Sequence, residues 1–164
     1  MATPVYPGAA LGFRLWEIRD DSLLPAYSYM MEEEAKPWDG ADARCNRGAE
    51  HPAPSADCQC GYHAYHDPRL AIGLRLRFAL EHPDLEHVLA AVAGAGRLEV
   101  HQQGWRAQKL QLLGLMGSRQ SVSAVAQAYS VPTFSSDRAL ISYAASLPGV
   151  ASDIPEQRLV GLVR

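Results

Sequence analysis

Alternating apolar and polar positions predict a sheet built from two regions of the chain. Residues 11–19 indicate a first strand, and residues 23–31 indicate a second, shorter one. Residues 88–115 are largely apolar and are interrupted by two glycine-containing segments, 94–96 and 102–104. Strand-like runs separated by turn signals are typical of an antiparallel meander.

Helical spacing of apolar residues follows in the second half of the chain. Residues 121–129 and 135–147 have this spacing, with serines near the start of each segment as N-caps. Residues 70–80 alternate as a strand would, but the segment before them opens with an aspartate and a proline, which is typical of a helix start. We favour a largely buried helix over 67–82. The predicted fold is therefore α+β, an antiparallel sheet with packed helices.

Length and composition restrict the class of protein. The chain has 164 residues, 48% of them apolar, and a net charge of −3. This is enough for a single domain over residues 11–164, preceded by a flexible tail over residues 1–10. Neither a membrane-length apolar run nor a secretory signal is visible, so we expect a cytoplasmic protein without a membrane span. The lack of a basic patch argues against nucleic acid as the partner.

Residues 38–60 stand apart because they include almost no aliphatic side chains. A loop this long is uncommon in a compact domain unless something holds it. It contains all the cysteines of the chain, together with a histidine: Cys45, His51, Cys58 and Cys60. Three thiolates and an imidazole form a tetrahedral zinc set, and thiols clustered in a reducing compartment more often bind metal than pair. We predict a structural zinc ion that holds this loop.

The sequence also allows other states of the cysteines and other choices of ligand. The cysteines could be unligated thiols or could form a redox-active disulfide. His63 or His66 could replace His51 as a ligand. If one of the four is not a ligand, Glu50 or Asp57 could lie beside a metal-bound water, which is the arrangement of a catalytic site. The zinc deaminase signature is absent, because one residue separates the paired cysteines instead of two and the required glutamate is missing.

Two motifs of the chain can be compared with a known family. The first is Cys…His-x-x-Pro…Cys-x-Cys-Gly, within residues 38–64, and the second is Gly-Trp-Arg-Ala, within residues 94–107. Both resemble motifs of a family of small actinobacterial and actinophage proteins to which no activity is assigned. The resemblance implies a metal site on the four cysteine and histidine residues named above, and it implies no reaction.

A second candidate site consists of His101, Trp105 and Arg106. A hairpin across residues 102–104 would bring the histidine close to the other two. Arginine offers a fork of donors and tryptophan a flat surface, so these residues could bind an anion or a partner. We favour the alternative that Trp105 fills the core and that Arg106 pairs with Glu99, because aromatic residues on strands usually serve packing.

No complete catalytic signature accompanies these candidates. The sequence contains no phosphate-binding loop and no nucleophile elbow, and residues 94–99 lack the third glycine of a dinucleotide fingerprint. We therefore predict a zinc-stabilised accessory or regulatory module that binds a macromolecular partner, with no catalysis evident from the sequence. Two alternatives are a metal-dependent enzyme with an open site and a weak DNA-binding regulator with a helix-turn-helix over residues 121–142.

Overall fold

The structure is a computed structural model that describes residues 9–27, 35–45, 47, 50–148 and 150–151. Its elements follow one another along the chain as β1 (Ala9–Arg19), β2 (Ser22–Pro25), β3 (Tyr62–Tyr65), α1 (Pro68–Glu81), β4 (Glu86–Val100), β5 (Gly104–Met116), α2 (Gln120–Ala128), β6 (Thr133–Phe134), α3 (Asp137–Ser146) and β7 (Val150–Ala151).

The strands form one sheet, which confirms the α+β prediction. β4 and β5 form a long antiparallel hairpin, and β1 pairs antiparallel with β4 from Ala10 to Ile18. β2 pairs with one end of β1, whereas β3 pairs with β5 and also contacts β1 where Phe13 faces Tyr65. The two-residue strands β6 and β7 add parallel pairings to β5 and β1.

Alternate residues of each strand supply two hydrophobic cores on opposite faces of the sheet. On one face, Val88, Ala90 and Val92 of β4 pack in the same cluster as the buried residues of α2. On the other face, the alternate residues Leu89, Ala91 and Ala93 of β4 pack in the same cluster as buried residues of α1 and α3. The sheet therefore has helices on both sides.

Local sequence explains where α1 begins and ends. The carboxylate of Asp67 accepts a hydrogen bond from the Arg69 backbone N–H at 2.9 Å, and Pro68 occupies the first turn. The helix ends at Glu81, two residues before Pro83. The predicted helix is confirmed, but its expected burial is wrong for its exposed leucines: Leu70, Leu76 and Leu80.

Trp105 lies where four strands meet. Its side chain is 1% exposed, and its Nε1 donates a hydrogen bond to the Leu11 carbonyl at 3.0 Å. A Cβ atom at Gly12 or Gly94 would lie within 2.8 Å of the indole ring, so both glycines leave the space that the ring occupies. The strands β1, β3, β4 and β5 thus close around one aromatic side chain.

Several predicted boundaries differ from the structure. Ala9 and Ala10, which we assigned to the tail, are buried in β1, and residues 1–8 lie outside the described residues. The second strand ends at Pro25 instead of continuing to residue 31, with residues 28–31 outside the described part of the chain. Residues 94–96 do not form a turn, because a bulge with Gly96 at a φ of 74° keeps them within β4.

The helix-turn-helix alternative over residues 121–142 is also wrong. β6 lies between α2 and α3 and pairs with β5. The buried residues of α2 and those of α3 belong to the cores on opposite faces of the sheet. The two helices therefore cannot form the packed pair that enters a DNA groove.

Candidate metal centre and the adjacent cleft

The structure brings the four predicted ligands together. One ligand atom from each of Cys45, His51, Cys58 and Cys60 lies within 4.8 Å of the other three. The Sγ atoms of Cys45 and Cys58 are 3.7 Å apart. A zinc–sulfur bond of about 2.3 Å in a tetrahedron gives a sulfur–sulfur separation of about 3.8 Å, so this pair already has the spacing that a shared ion requires.

The loop that carries these ligands is attached to the sheet at several points. The backbone N–H of Trp38 donates to the Leu23 carbonyl at 2.8 Å, and that of Ala43 donates to the Gln108 carbonyl at 2.7 Å. The Trp38 ring stacks on Tyr129, with 5.4 Å between the ring centroids. These contacts place the first ligand, Cys45, beside β5.

Arg106 of β5 holds the second half of the loop. Its guanidinium is 5% exposed and donates hydrogen bonds to the backbone carbonyls of Cys58, Cys60 and Ser55, the last two at 3.1 and 3.2 Å. It also pairs with the Glu99 carboxylate at 2.7 Å. One buried cation therefore joins the sheet to the segment that supplies two thiol ligands.

Local hydrogen bonds favour an ionised thiol in this group. A hydrogen bond from the Cys60 backbone, aided by the neighbouring thiols and His51, lowers the pKa of Cys58 to about 7. Burial raises the pKa of Cys60. Because metals bind the thiolate form, Cys58 is the ligand most readily prepared for a cation.

The alternative ligands lie elsewhere. His63 Nε2 donates to the Gln59 carbonyl at 2.9 Å, and His66 Nε2 donates to the His101 carbonyl at 3.0 Å. Neither histidine belongs to the ligand group found among the described residues, and neither do Glu50 or Asp57. The four-residue set is therefore complete without them.

The second predicted site, formed by His101, Trp105 and Arg106, lines a cleft beside the metal group. The Nε of Arg106 donates to His101 Nε2 at 3.1 Å, so the histidine and the arginine are in direct contact. The cleft has a volume of about 970 Å³ and is bounded by the metal loop, β3, the middle of β1 and the residues after β2. Cys58 also lines it.

Arg14 is the residue of this cleft that sequence reasoning missed. It occupies a strand position that resembled an ordinary exposed site in β1. Its Nη1 donates to the His63 carbonyl at 2.7 Å, and its guanidinium lies 4.3 Å from the centroid of the Trp16 ring. No local sequence signal marks it, because the cleft forms only when β3 and the metal loop fold against β1.

Comparison of the chain with protein-family models, curated proteins and solved structures finds no match. None of the helices in the described part of the chain has both the length and the apolar character needed to cross a bilayer.

Proposed function

We propose that this protein is a zinc-stabilised accessory or regulatory module that binds a protein partner and has no catalytic activity of its own. The observation that carries the zinc assignment is the closed Cys45, His51, Cys58 and Cys60 group, with its sulfur–sulfur distance of 3.7 Å. Three thiolates and an imidazole favour zinc among the common metals. Four protein ligands leave no position for a reactive water.

The ion replaces a hydrophobic core that the loop lacks. Among the described residues of the segment 38–60, only Ala53, Pro54 and Cys60 are buried. Apolar burial this limited cannot offset the entropy of ordering so many residues. Metal ligation supplies the missing stabilisation, since the binding free energy of a structural zinc is also folding free energy.

The exposed side of α1 supports a protein partner. Leu76 is 57% exposed and Leu80 is 84% exposed, while Phe78 between them is buried. These two leucines lie one turn apart on the solvent side of the helix, among exposed charged residues that include Arg77 and Glu81. An apolar surface on a second protein would cover these leucines, and the net charge of −3 disfavours a polyanion in that place.

The resemblance to the actinobacterial and actinophage family supports the same proposal. The two motifs that carry it lie together in space, because Arg106 of the second motif hydrogen-bonds the Cys58 carbonyl of the first. We propose that members of that family have this metal loop anchored by the same arginine.

The zinc proposal is tested by metal analysis of protein purified without chelator. We expect about one zinc per chain, and Cys58→Ser and His51→Gln should lose both this metal and the order of the loop over residues 38–60. His63→Gln is the matched control, because it removes the nearby histidine that is not in the group, and it should retain the metal. Metal-free wild-type protein that unfolds cooperatively with an ordered loop would contradict the proposal.

The partner proposal is tested separately on α1. Three immobilised proteins would be exposed to extract of the source cells. They are the wild type, a Leu76→Lys/Leu80→Lys variant and the control Arg97→Gln. We expect one protein to be retained by the wild type and by the control but not by the double variant. Equal retention by all three would show that α1 is not the surface used.

A metal-dependent enzyme is the second candidate, and one observation favours it. Cys58 lines the cleft, so a molecule bound there would lie next to the metal group. An open catalytic site predicts that Cys58→Ser keeps the loop over residues 38–60 ordered, whereas a closed structural site predicts that the loop loses its order. Amide hydrogen exchange in the loop therefore separates the two functions.

A further inference from the structure

The cleft beside the metal group occupies a gap in the pairing of β1. β3 contacts β1 at Phe13, and β2 begins to pair with it at Trp16. Arg14 and Leu15 lie between these two points and face the cleft. β4 pairs with β1 along the other edge here, with Arg14 opposite Ala90, so the arginine lies where one edge of the strand has no neighbouring strand.

Arg14 has no anionic partner in the part of the chain that the structure describes. No carboxylate there lies within 4.0 Å of its guanidinium. Its Nε is fully buried and has no hydrogen-bond partner among the described residues. Burial lowers the pKa of Arg14 to about 10, so the group still carries its charge at neutral pH. Buried charges in proteins are normally paired, because an unpaired one is costly.

Two further arginines near Arg14 add positive charge. Arg47 and Arg106 line the cleft together with His63 and His101, and Asp57 is the acidic residue among its lining residues. Burial lowers the pKa of His63, and the charges of Arg14, Arg106 and His101 lower it further, which shows that these groups share one electrostatic environment. Arg106 is already paired with Glu99, and Arg47 is exposed, so Arg14 is the more enclosed of the other two arginines that a ligand could meet.

Other residues that line the cleft are apolar. They include Phe13, Leu15, Pro25, Tyr27 and Leu74. A volume of about 970 Å³ suits a small molecule, and an apolar pocket with a few convergent polar groups is the usual form of such a site. We propose that the cleft binds a small organic oxyanion, a carboxylate or phosphate ester with an apolar body, and that Arg14 binds its charged group.

This proposal goes beyond the zinc and partner functions and can fail independently of them. Its test uses the full chain as purified without chelator and follows backbone amide NMR shifts during titration with benzoate, phenyl phosphate and inorganic phosphate. We expect benzoate or phenyl phosphate to shift amides around Arg14 and His63, with a dissociation constant below about 10 mM. The tighter of the two identifies the preferred charged group. Inorganic phosphate should bind more weakly, because it lacks the apolar body.

Two variants and one control connect binding to Arg14. Arg14→Gln should weaken binding of the tighter probe by about tenfold or more, and Arg14→Lys should retain part of it. The matched control Arg97→Gln removes an exposed arginine of β4 and should bind as the wild type does. If Arg14→Gln does not fold, the folded Arg14→Lys variant decides, and it should bind less tightly than the wild type. No shift with either organic probe, or equal binding by wild type and the Arg14 variants, would overturn the proposal. If inorganic phosphate bound as tightly as phenyl phosphate, the claim that the cleft recognises the apolar body of the ligand would be overturned.

Discussion

The guanidinium of Arg106, on a central strand, donates a hydrogen bond to the backbone carbonyl of Cys58, on the metal loop. These residues are 48 positions apart in the sequence, so the contact joins two distant parts of the chain. Its neighbouring bonds to the Ser55 and Cys60 carbonyls make the arginine a structural support for the ligand segment.

Arg106→Gln should destabilise the protein by about 2–4 kcal/mol, because it leaves several buried carbonyls and the Glu99 carboxylate without their cation. We also expect zinc affinity to fall roughly tenfold, since groups that orient the ligands contribute to metal affinity. Urea unfolding and competition with a zinc-binding dye measure the two effects. The exposed Arg138→Gln should change stability by less than about 0.5 kcal/mol. Equal behaviour of the two variants would contradict the role of Arg106.

Removal of the metal should loosen the loop and leave the sheet largely intact. With EDTA, amide hydrogen exchange in the described residues of 38–60 should become faster, because that segment has little apolar burial of its own. Amides in β4 and β5 should stay protected, since both strands have buried residues on each face. Mass spectrometry of exchanged peptides measures both regions at once. Protection of the loop unchanged by EDTA would show that its order does not depend on an ion.

Two glycine substitutions should have opposite effects. Gly94→Ala places a Cβ 2.5 Å from the Trp105 ring, so we expect a loss of about 1–3 kcal/mol from overpacking. Gly73→Ala lies within α1 with open space around its Cβ and should gain about 0.5–1 kcal/mol from helix propensity. Thermal unfolding of both variants checks the prediction. A neutral Gly94→Ala would mean that Trp105 can move.

Stability should fall as the pH decreases through the histidine range. Burial lowers the pKa of His63, His87 and His101 from the usual 6.5. Below pH 6.5 the unfolded chain therefore binds more protons than the folded one, so protonation favours unfolding, while above that pH the effect vanishes. His87, which stacks on Phe78 and is not among the residues that line the cleft, offers a clean test. His87→Phe should reduce the slope of stability between pH 5 and 7, as measured by urea unfolding; an unchanged slope would exclude His87 as a source.

Local signals in the sequence predicted much of the fold and all four members of the ligand group. Asp67 and Pro68 mark the start of α1, and the run of apolar residues in β4 reflects burial on both faces. The candidate ligands could be recognised because three thiols and an imidazole occur in a segment that has almost no aliphatic side chains to hold it in place.

What the sequence did not predict depends on contacts between distant segments. Arg14 resembles any exposed arginine on a strand until β3 leaves it at the edge of a cleft. The placement of α2 and α3 on opposite faces depends on the short strand β6, whose two residues carry no recognisable strand pattern. We expected the leucines of α1 to be buried. The spacing of apolar residues along the helix does not indicate which side of it has no packing neighbour, so the exposure of Leu76 and Leu80 could not be predicted.

The chain passes from one face of the sheet to the other between α2 and α3, by way of β6 at Thr133–Phe134. The loop that carries the cysteines packs on the α2 side through Trp38 and Tyr129, whereas α1 and α3 pack on the other side. The cleft is where the two sides meet, because Leu74 of α1 and Cys58 of the loop both line it. A molecule bound in the cleft would therefore contact both sides of the sheet at once.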